Sequence, residues 1–424
     1  MCRQEPLRGE EPLRRQAALA ALVLALAGCG DTEPAVEPFL DAHWARPLAP
    51  QGQLPASVFP AGEPLAPQSC GTCHAAQFEG WRRSRHARAM SPGVLGQLAS
   101  LDAAARDEHQ DCLRCHAPLA EQADALAAAL AAGGDDLTGE KRGPTGALFR
   151  HGLTCAGCHV RGWQIYGPPR RGGSRSAPDA RLPHGGWQSS AAFQDSRFCA
   201  SCHQFTPDQL ALNGKPIENT YEEWKASAYG RQGKTCQSCH MPERRHLWRG
   251  IYDPDMTRSG VTIRASATRA EDGVASGELR VRNTGTGHHF PTYVTPRIVV
   301  EGFQQDANGV LLAGTRQVHV IGRQVKLDLS EELADTRLAP GEEALFRYRQ
   351  PKHPAARALE LRVRVEPDAF YTGFYRSLLA SGGAGKGERM IRRALDESLA
   401  SAYTLFSERA QLKGSHATET RPSP

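Results

Sequence analysis

The chain has 424 residues, long enough for two domains and a sizeable core, and 51 Lys and Arg stand against 46 Asp and Glu for a formal net charge of +5. A balance so near neutral gives a nucleic-acid reader no footing. The Arg-rich stretch 170–181 reads as a solvated loop rather than a phosphate-binding surface.

Near the start, Arg14 and Arg15 precede an apolar run over 17–27. The run is too short to span a bilayer and has the form of a signal peptide. It ends in Leu26-Ala27-Gly28-Cys29, which matches the bacterial lipobox. Cleavage before Cys29 would remove residues 1–28, Cys2 included, and leave a diacylglyceryl thioether on the Cys29 sulfur. An ordinary signal peptide with an incidental cysteine is the other reading. The lipoprotein is favoured because a lone cysteine in an exported chain otherwise has no role, and several acyl chains anchor stably. Gly30 rather than Asp at the sorting position favours the outer membrane. Residues 29–68 carry Pro34, Pro38, Pro47, Pro50, Pro55, Pro60, Pro64 and Pro67, which predicts an extended tether.

Residues 69–258 are organised by five copies of one pentapeptide, about 40 residues apart. They are Cys70-Gly71-Thr72-Cys73-His74, Cys112-Leu113-Arg114-Cys115-His116, Cys155-Ala156-Gly157-Cys158-His159, Cys199-Ala200-Ser201-Cys202-His203 and Cys236-Gln237-Ser238-Cys239-His240. One copy could be chance, a zinc knuckle or a redox dithiol. Five cannot, since ten of the twelve cysteines sit in these pairs and each pair is followed by His. C-x-x-C-H is the attachment signature of c-type haem. The two thiols add to the porphyrin vinyls, and His74, His116, His159, His203 and His240 become proximal ligands to iron. The expected cofactors are five covalently bound haem c. Their propionates add about −10 and make the holoprotein mildly acidic.

Helical patterns follow the first motif over 75–89, recur in the alanine-rich 118–132 before Gly133-Gly134, and lead into the fifth motif over 218–229. Gly, Pro and Arg dominate 167–186, a long irregular loop. After about residue 258 the pattern changes. Residues 261–269, 278–283 and 359–365 alternate apolar and polar, and 296–304 and 343–350 are further strand candidates. Asn283-Thr284-Gly285, Asp306-Ala307-Asn308-Gly309 and Pro340-Gly341 supply the turns. Residues 259–368 therefore predict an antiparallel β-sandwich of immunoglobulin or fibronectin type, without the Cys and Trp marks of a true immunoglobulin domain. Residues 369–410 close the chain as helices over 369–380 and 388–410, and 411–424 form a disordered tail. The fold class is α + β and multidomain: a haem-packed, mainly helical and irregular cytochrome domain, an antiparallel sandwich, then C-terminal helices.

A second axial ligand makes a haem low-spin and suits it to electron transfer, whereas an open position can bind and reduce a small molecule. Of the 16 histidines, five end the motifs and five more lie in the haem region: His86, His109, His151, His184 and His246. His86 lies far up the helix after motif one, so it would serve a different haem. His184 stands in the Gly/Pro loop, and His246 follows the Met241-Pro242 bend. Each is a distal candidate, with a surface histidine as the alternative. His109 and His151 precede motifs two and three and could ligate or bond locally. Met90 is a possible ligand, though such a methionine more often packs. His288 and His289 lie in Gly285-Thr286-Gly287-His288-His289-Phe290-Pro291-Thr292, a loop that could reach back to a haem across the domain interface or lie in solvent. His43, His319, His353 and His416 read as structural or surface residues.

Three segments together resemble the bacterial multihaem cytochromes with a cytochrome c-554-type (cytochrome c-552/4) domain. They are Cys70 to His74 with Trp81-x-x-Ser84-x-His86-Ala87, Gly152-Leu153-Thr154-Cys155 to Arg161, and Tyr221-x-x-Trp224-x-x-Ser227 running into Cys236 to Pro242. The Gly287 to Thr292 loop is also similar to relatives of that group. The resemblance covers roughly 69–255 and implies a distal-ligand role for His86. The family includes carriers and enzymes acting on nitrogen or sulfur oxyanions. Here no motif ends in Lys, as it does in pentahaem nitrite reductase, and the motif count differs from the tetrahaem and octahaem members, so substrate chemistry is not inherited.

The first expectation is a lipid-anchored electron carrier on the periplasmic side of the cell envelope, not an enzyme. Its partners would be other redox proteins, a quinol-oxidising cytochrome or a terminal reductase, and no nucleic acid. The alternative is a reductase of nitrite, hydroxylamine or a sulfur oxyanion at a five-coordinate haem. A structural or sensory subunit is a third reading.

Overall fold

The structure, a computed structural model, describes residues 36–412 apart from 56–62, 102–105, 133–136, 138–143 and the single positions 175, 180, 207 and 272. The expected signal peptide, the Cys29 lipidation site, Gly133-Gly134 and the tail from 413 lie outside the described residues.

The described part of the expected tether is packed rather than extended. Helix α1 (Val36–His43) lays Phe39 and His43 against Tyr166 and Phe193, and Trp44 meets Phe198. Leu48 and Leu65 join a small core with Leu119, Ala156 and Val160. Proline density favours extended geometry, but five apolar side chains between 39 and 65 gain more by burial than by solvation.

Helix α2 (Ala75–Arg83) stops short of the expected end at 89, because Ser84 turns extended and its hydroxyl bonds the Trp81 carbonyl at 2.7 Å. His86 therefore leaves the helix. Helix α3 (Pro92–Ser100) starts on a Ser91 cap with Pro92 in the first turn. Helix α4 (Arg106–His116) carries motif two at its end. Helix α5 (Ala120–Ala131) matches the alanine-rich stretch. Helix α6 (Arg197–His203) carries motif four. The single helix expected over 218–229 is broken: α7 (Thr220–Lys225) ends, Ser227 goes extended, and its hydroxyl caps the turn Ala228–Arg231. The 167–186 segment is largely irregular, as expected.

Seven strands form two antiparallel sheets. They are β1 (Val261–Glu271), β2 (Val274–Asn283), β3 (Arg297–Gln305), β4 (Gln317–Ile321), β5 (Glu343–Pro351), β6 (Ala358–Glu366) and β7 (Tyr403–Gln411). One sheet runs β5-β2-β1 and the other β7-β6-β3-β4. Leu279, Ile298, Val300, Leu359, Leu361 and Val363 fill the space between them, so the expected sandwich is present. The pattern along β2 alternates buried and half-buried, as one wet face requires. Central β3 is buried on both faces, and its Glu301 pairs with Arg316 and Arg362, both at 2.7 Å.

Two features of the C-terminal region differ from expectation. Helix α8 (Ala369–Ala380) has its predicted bounds, but α9 (Glu388–Ala400) ends ten residues early. Residues 403–411 become β7, which pairs with the free edge of β6 from Ala358↔Gln411 to Val365↔Tyr403. An unpaired edge beside a nine-residue strand outweighs modest helix propensity. The helices also return to the haem region instead of following the sandwich. Ile391 packs on Gly96, and Tyr375 sits so close to Gly93 that a Cβ there would fall 1.9 Å from its hydroxyl. Among the described residues no helix is long and apolar enough to cross a membrane.

Candidate haem centres

Four histidines expected as distal candidates each face a motif histidine. The ring centroids of His74 and His184 are 6.2 Å apart, those of His159 and His246 6.2 Å, and those of His240 and His288 6.4 Å. His86 faces His203 at 6.3 Å. Two in-line metal–imidazole bonds of about 2 Å, plus about 1 Å from each nitrogen to its ring centre, give a separation of about 6 Å. These four spacings fit an iron held between two imidazoles.

The outer nitrogens agree. Nδ1 of His159 lies 2.8 Å from the Tyr166 carbonyl, that of His240 2.8 Å from Arg249 and that of His116 2.6 Å from Ala89. On the facing side, Nδ1 of His184 meets Gly186 at 3.0 Å, that of His246 meets Arg244 at 3.1 Å and that of His288 meets His289 at 2.8 Å. An Nδ1 proton donated to a carbonyl fixes the tautomer and leaves Nε2 for the metal. His203 Nδ1 is met instead by the Tyr293 hydroxyl at 3.2 Å. Burial pulls His86 down to about 3 and both His203 and His246 to about 4, so these rings are neutral, the form that binds a metal.

The local sequence explains how His86 is held. Trp81 donates its indole N–H to Leu153 O at 2.7 Å, and the Leu153 amide donates to His86 O at 3.0 Å. Gly152 has φ +60°, and a Cβ there would fall 2.4 Å from His86 O. Glycine is thus required for the segment entering motif three to lie against the segment bearing His86. Thr154 caps the turn Cys155–His159 by accepting from Gly157 N at 3.1 Å. On the other side of the array, the turns bearing His184 and His246 are strained. His184 itself has φ 45°, and Glu243, Arg244 and Trp248 have φ 56°, 62° and 41°. Such left-handed non-glycine residues cost of order 1–3 kcal/mol each and persist where the surroundings over-determine them.

None of the ten motif cysteines is joined to another by a disulfide, and several from different motifs meet. Cys70 is within hydrogen-bonding reach of Cys155, Cys115 of Cys202, and Cys199 of Cys236. Motif four thus adjoins both motif two and motif five. Thiols brought to neighbouring points, beside neutral imidazoles with free Nε2 atoms, suit a set of closely spaced haem c groups. Among the described residues no other cluster of metal-ligating side chains stands out.

Motif two differs from the rest. Among the described residues no imidazole ring faces His116. His109 lies on α4 itself, buried, and lines a small cleft with Leu113, Ala123 and Leu126. His151 ends the turn Pro144–His151, half-buried. Neither is brought to a motif histidine. Met90 is core, packed with Leu95, Leu113 and Phe149. His43 is structural, its Nε2 3.0 Å from Cys158 O.

Sequence reasoning missed several contributors. Trp248 stands edge-on to both His86 and His246, at 4.7 and 5.0 Å. Phe193 stacks on His159 at 5.2 Å. Tyr293 continues the loop that carries His288, so its position beside that histidine was the available signal.

No curated protein matches the chain in sequence. The family described as cytochrome c554 and c-prime matches residues 69–133, which hold the first two pentapeptides. A penta-heme cytochrome c552 from Thermochromatium tepidum has a similar structure, with a TM-score of 0.52 and 17% identity over 81% of this chain and 97% of that one. At that identity the likeness is one of fold. The family likeness holds two of the five pentapeptides and the structural likeness extends over most of the chain, so the chain is similar to multihaem c-type cytochromes in both its motifs and its fold.

Proposed function

We propose that the chain holds five haem c groups, one on each pentapeptide, and acts as an electron relay anchored by a lipid on Cys29 at the periplasmic side of the cell envelope. The observation that carries the relay is the set of four imidazole pairs at 6.2–6.4 Å. In this reading His74 with His184, His203 with His86, His159 with His246 and His240 with His288 would hold four irons. Bound haem supplies reversible one-electron chemistry at iron. The chain supplies the rest. Carbonyls on the Nδ1 atoms fix ring orientation and raise ligand basicity. Phe193, Trp248 and Tyr293 pack around the ligating rings and shut out water. The partners are other redox proteins, such as a quinol-oxidising cytochrome or a terminal reductase.

A second reading has one observation in its favour. His116 has no facing imidazole among the described residues, and Glu218 and Tyr371 lie half-buried near the motif-two thiols. An iron held there from one side would leave a face for a small nitrogen or sulfur compound such as nitrite, hydroxylamine or a sulfur oxyanion.

Electron paramagnetic resonance of the oxidised protein tests both. The relay reading expects four low-spin haems, and His86→Ala should convert one of them to high spin. If His86→Ala changes no haem, the assignment to His203 fails. A fifth, high-spin haem that binds and turns over nitrite or hydroxylamine would establish the second reading. A fifth haem that is low-spin and inert to both would remove it.

A further inference from the structure

The loop bearing His288 is fixed by a side chain outside the sandwich. Glu223 sits on α7, between motifs four and five, with its side chain 2% exposed. One carboxylate oxygen accepts from the His289 amide at 3.1 Å and from the Thr292 hydroxyl at 2.8 Å. The other accepts from Arg337 Nη1 at 2.9 Å. Arg337, 3% exposed, also donates to Thr292 O at 2.7 Å and is held by both oxygens of Asp335 at 2.8 and 2.9 Å. From the sandwich side, Asn283 donates to His288 O and to Leu338 O, both at 2.9 Å. Gly287 lies against Trp224 of α7, and a Cβ there would stand 3.1 Å from the indole. The two residues after His288 in the clamp, His289 and Thr292, therefore hang from one carboxylate of the haem region.

A buried carboxylate is retained only when its oxygens are used. Here they are used on the loop that aims His288 at His240, and Arg337 completes the set from the strand side. Removing the carboxylate would leave Arg337 buried beside an unanchored loop, a disturbance that charge pairing elsewhere cannot absorb.

We propose that Glu223 is a positioning residue for the motif-five iron: with Arg337 it clamps the 287–292 loop so that His288 closes the sixth position opposite His240. The inference rests on the reading that His288 is that ligand, and the test separates the two. His288→Ala in the five-haem protein is expected to convert one haem equivalent from low to high spin by electron paramagnetic resonance, and added imidazole should restore it. If it does not, the ligand reading itself fails. Given that signal, Glu223→Ala is expected to produce the same imidazole-sensitive high-spin haem. Glu301→Gln is the control, since Glu301 is equally buried and paired but lies in β3, away from the loop. It should lower thermal stability and leave the spin state of every haem as in the parent. The clamp is overturned if Glu223→Ala keeps the parent spectrum, or if Glu301→Gln gives the same high-spin haem. Should Glu223→Ala not accumulate with its haems, Glu223→Gln serves in its place. It keeps the size and one acceptor, and is expected to let cyanide reach one haem about tenfold faster than in the parent, equivalent to roughly 1.4 kcal/mol lost from the closed loop. Cyanide uptake at the parental rate overturns the proposal as well.

Discussion

In the sandwich, several buried polar groups of the core find one another, although Gln305 Oε1 and Arg364 Nε are buried without a hydrogen bond. Gln304 donates to the Tyr348 hydroxyl at 3.1 Å and to Pro351 O at 2.8 Å, and Tyr348 donates to Thr315 O at 2.8 Å. In the haem region, His86 Nδ1, His109 Nε2, Trp44 Nε1 and Gln237 Oε1 are buried without a hydrogen bond. The two regions also differ in regularity. The sandwich has long strands around a core of Leu, Ile and Val, while short helices and strained turns make up the haem region. The first region closes on itself; the second is shaped around groups that are not amino acids. Covalent haem, as proposed, would therefore count as part of the second region's core, as a structural metal does in a small metal-dependent domain.

That contrast can be broken most severely by making the chain without haem. Amide exchange should then be fast throughout 63–250 while the central strands β2, β3 and β6 keep their protection. Protection of both regions would mean that the haem region has a self-sufficient core. Next in size is Leu361→Ala, at a side chain 1% exposed between the sheets. It should cost about 2–5 kcal/mol in the sandwich, measured by denaturant unfolding, with no change in haem spin state.

Acid should act more gently, and at the junction of the two regions. Burial pushes the Asp335 carboxyl up, but Arg337 and Lys215 outweigh it and hold the group below the usual carboxylate range. A depressed carboxylate stabilises the fold above its unfolded value of about 4 and loses that contribution as pH falls towards its folded value. Thermal unfolding should therefore be level near neutrality and decline below about pH 4, and Asp335→Asn should flatten that decline. The smallest effect is expected at Arg392, an exposed partner of Glu388 on α9. Arg392→Ala should move stability by no more than about 0.5 kcal/mol.

The pentapeptides were legible because their chemistry is written in consecutive residues, and the strands of the sandwich were legible because alternation is local. What escaped was decided at a distance. The Ser84 break in α2 depends on one hydroxyl finding the Trp81 carbonyl, which composition around 75–89 does not announce. The switch from helix to strand at 403 depends on β6 offering an open edge, more than 35 residues upstream. The pairing of His184 with His74 and of His86 with His203 joins residues over a hundred positions apart, so the candidates could be named without their partners. Glu223 carries no motif at all. Its proposed role depends on two loop residues, His289 and Thr292, and on Arg337, all arriving from another domain.

The contacts among the motif thiols give the molecule a shape in the language of circuits. Motif one touches motif three through Cys70 and Cys155, motif four touches motif two through Cys202 and Cys115, and motif four touches motif five through Cys199 and Cys236. Cys158 of motif three also acts on the Cys199 and Cys202 thiols. Under the proposed relay the segment Arg197–His203 would therefore be a junction of several branches rather than a link in a single file. A break at motif four would divide the array more severely than a break at motif two or motif five.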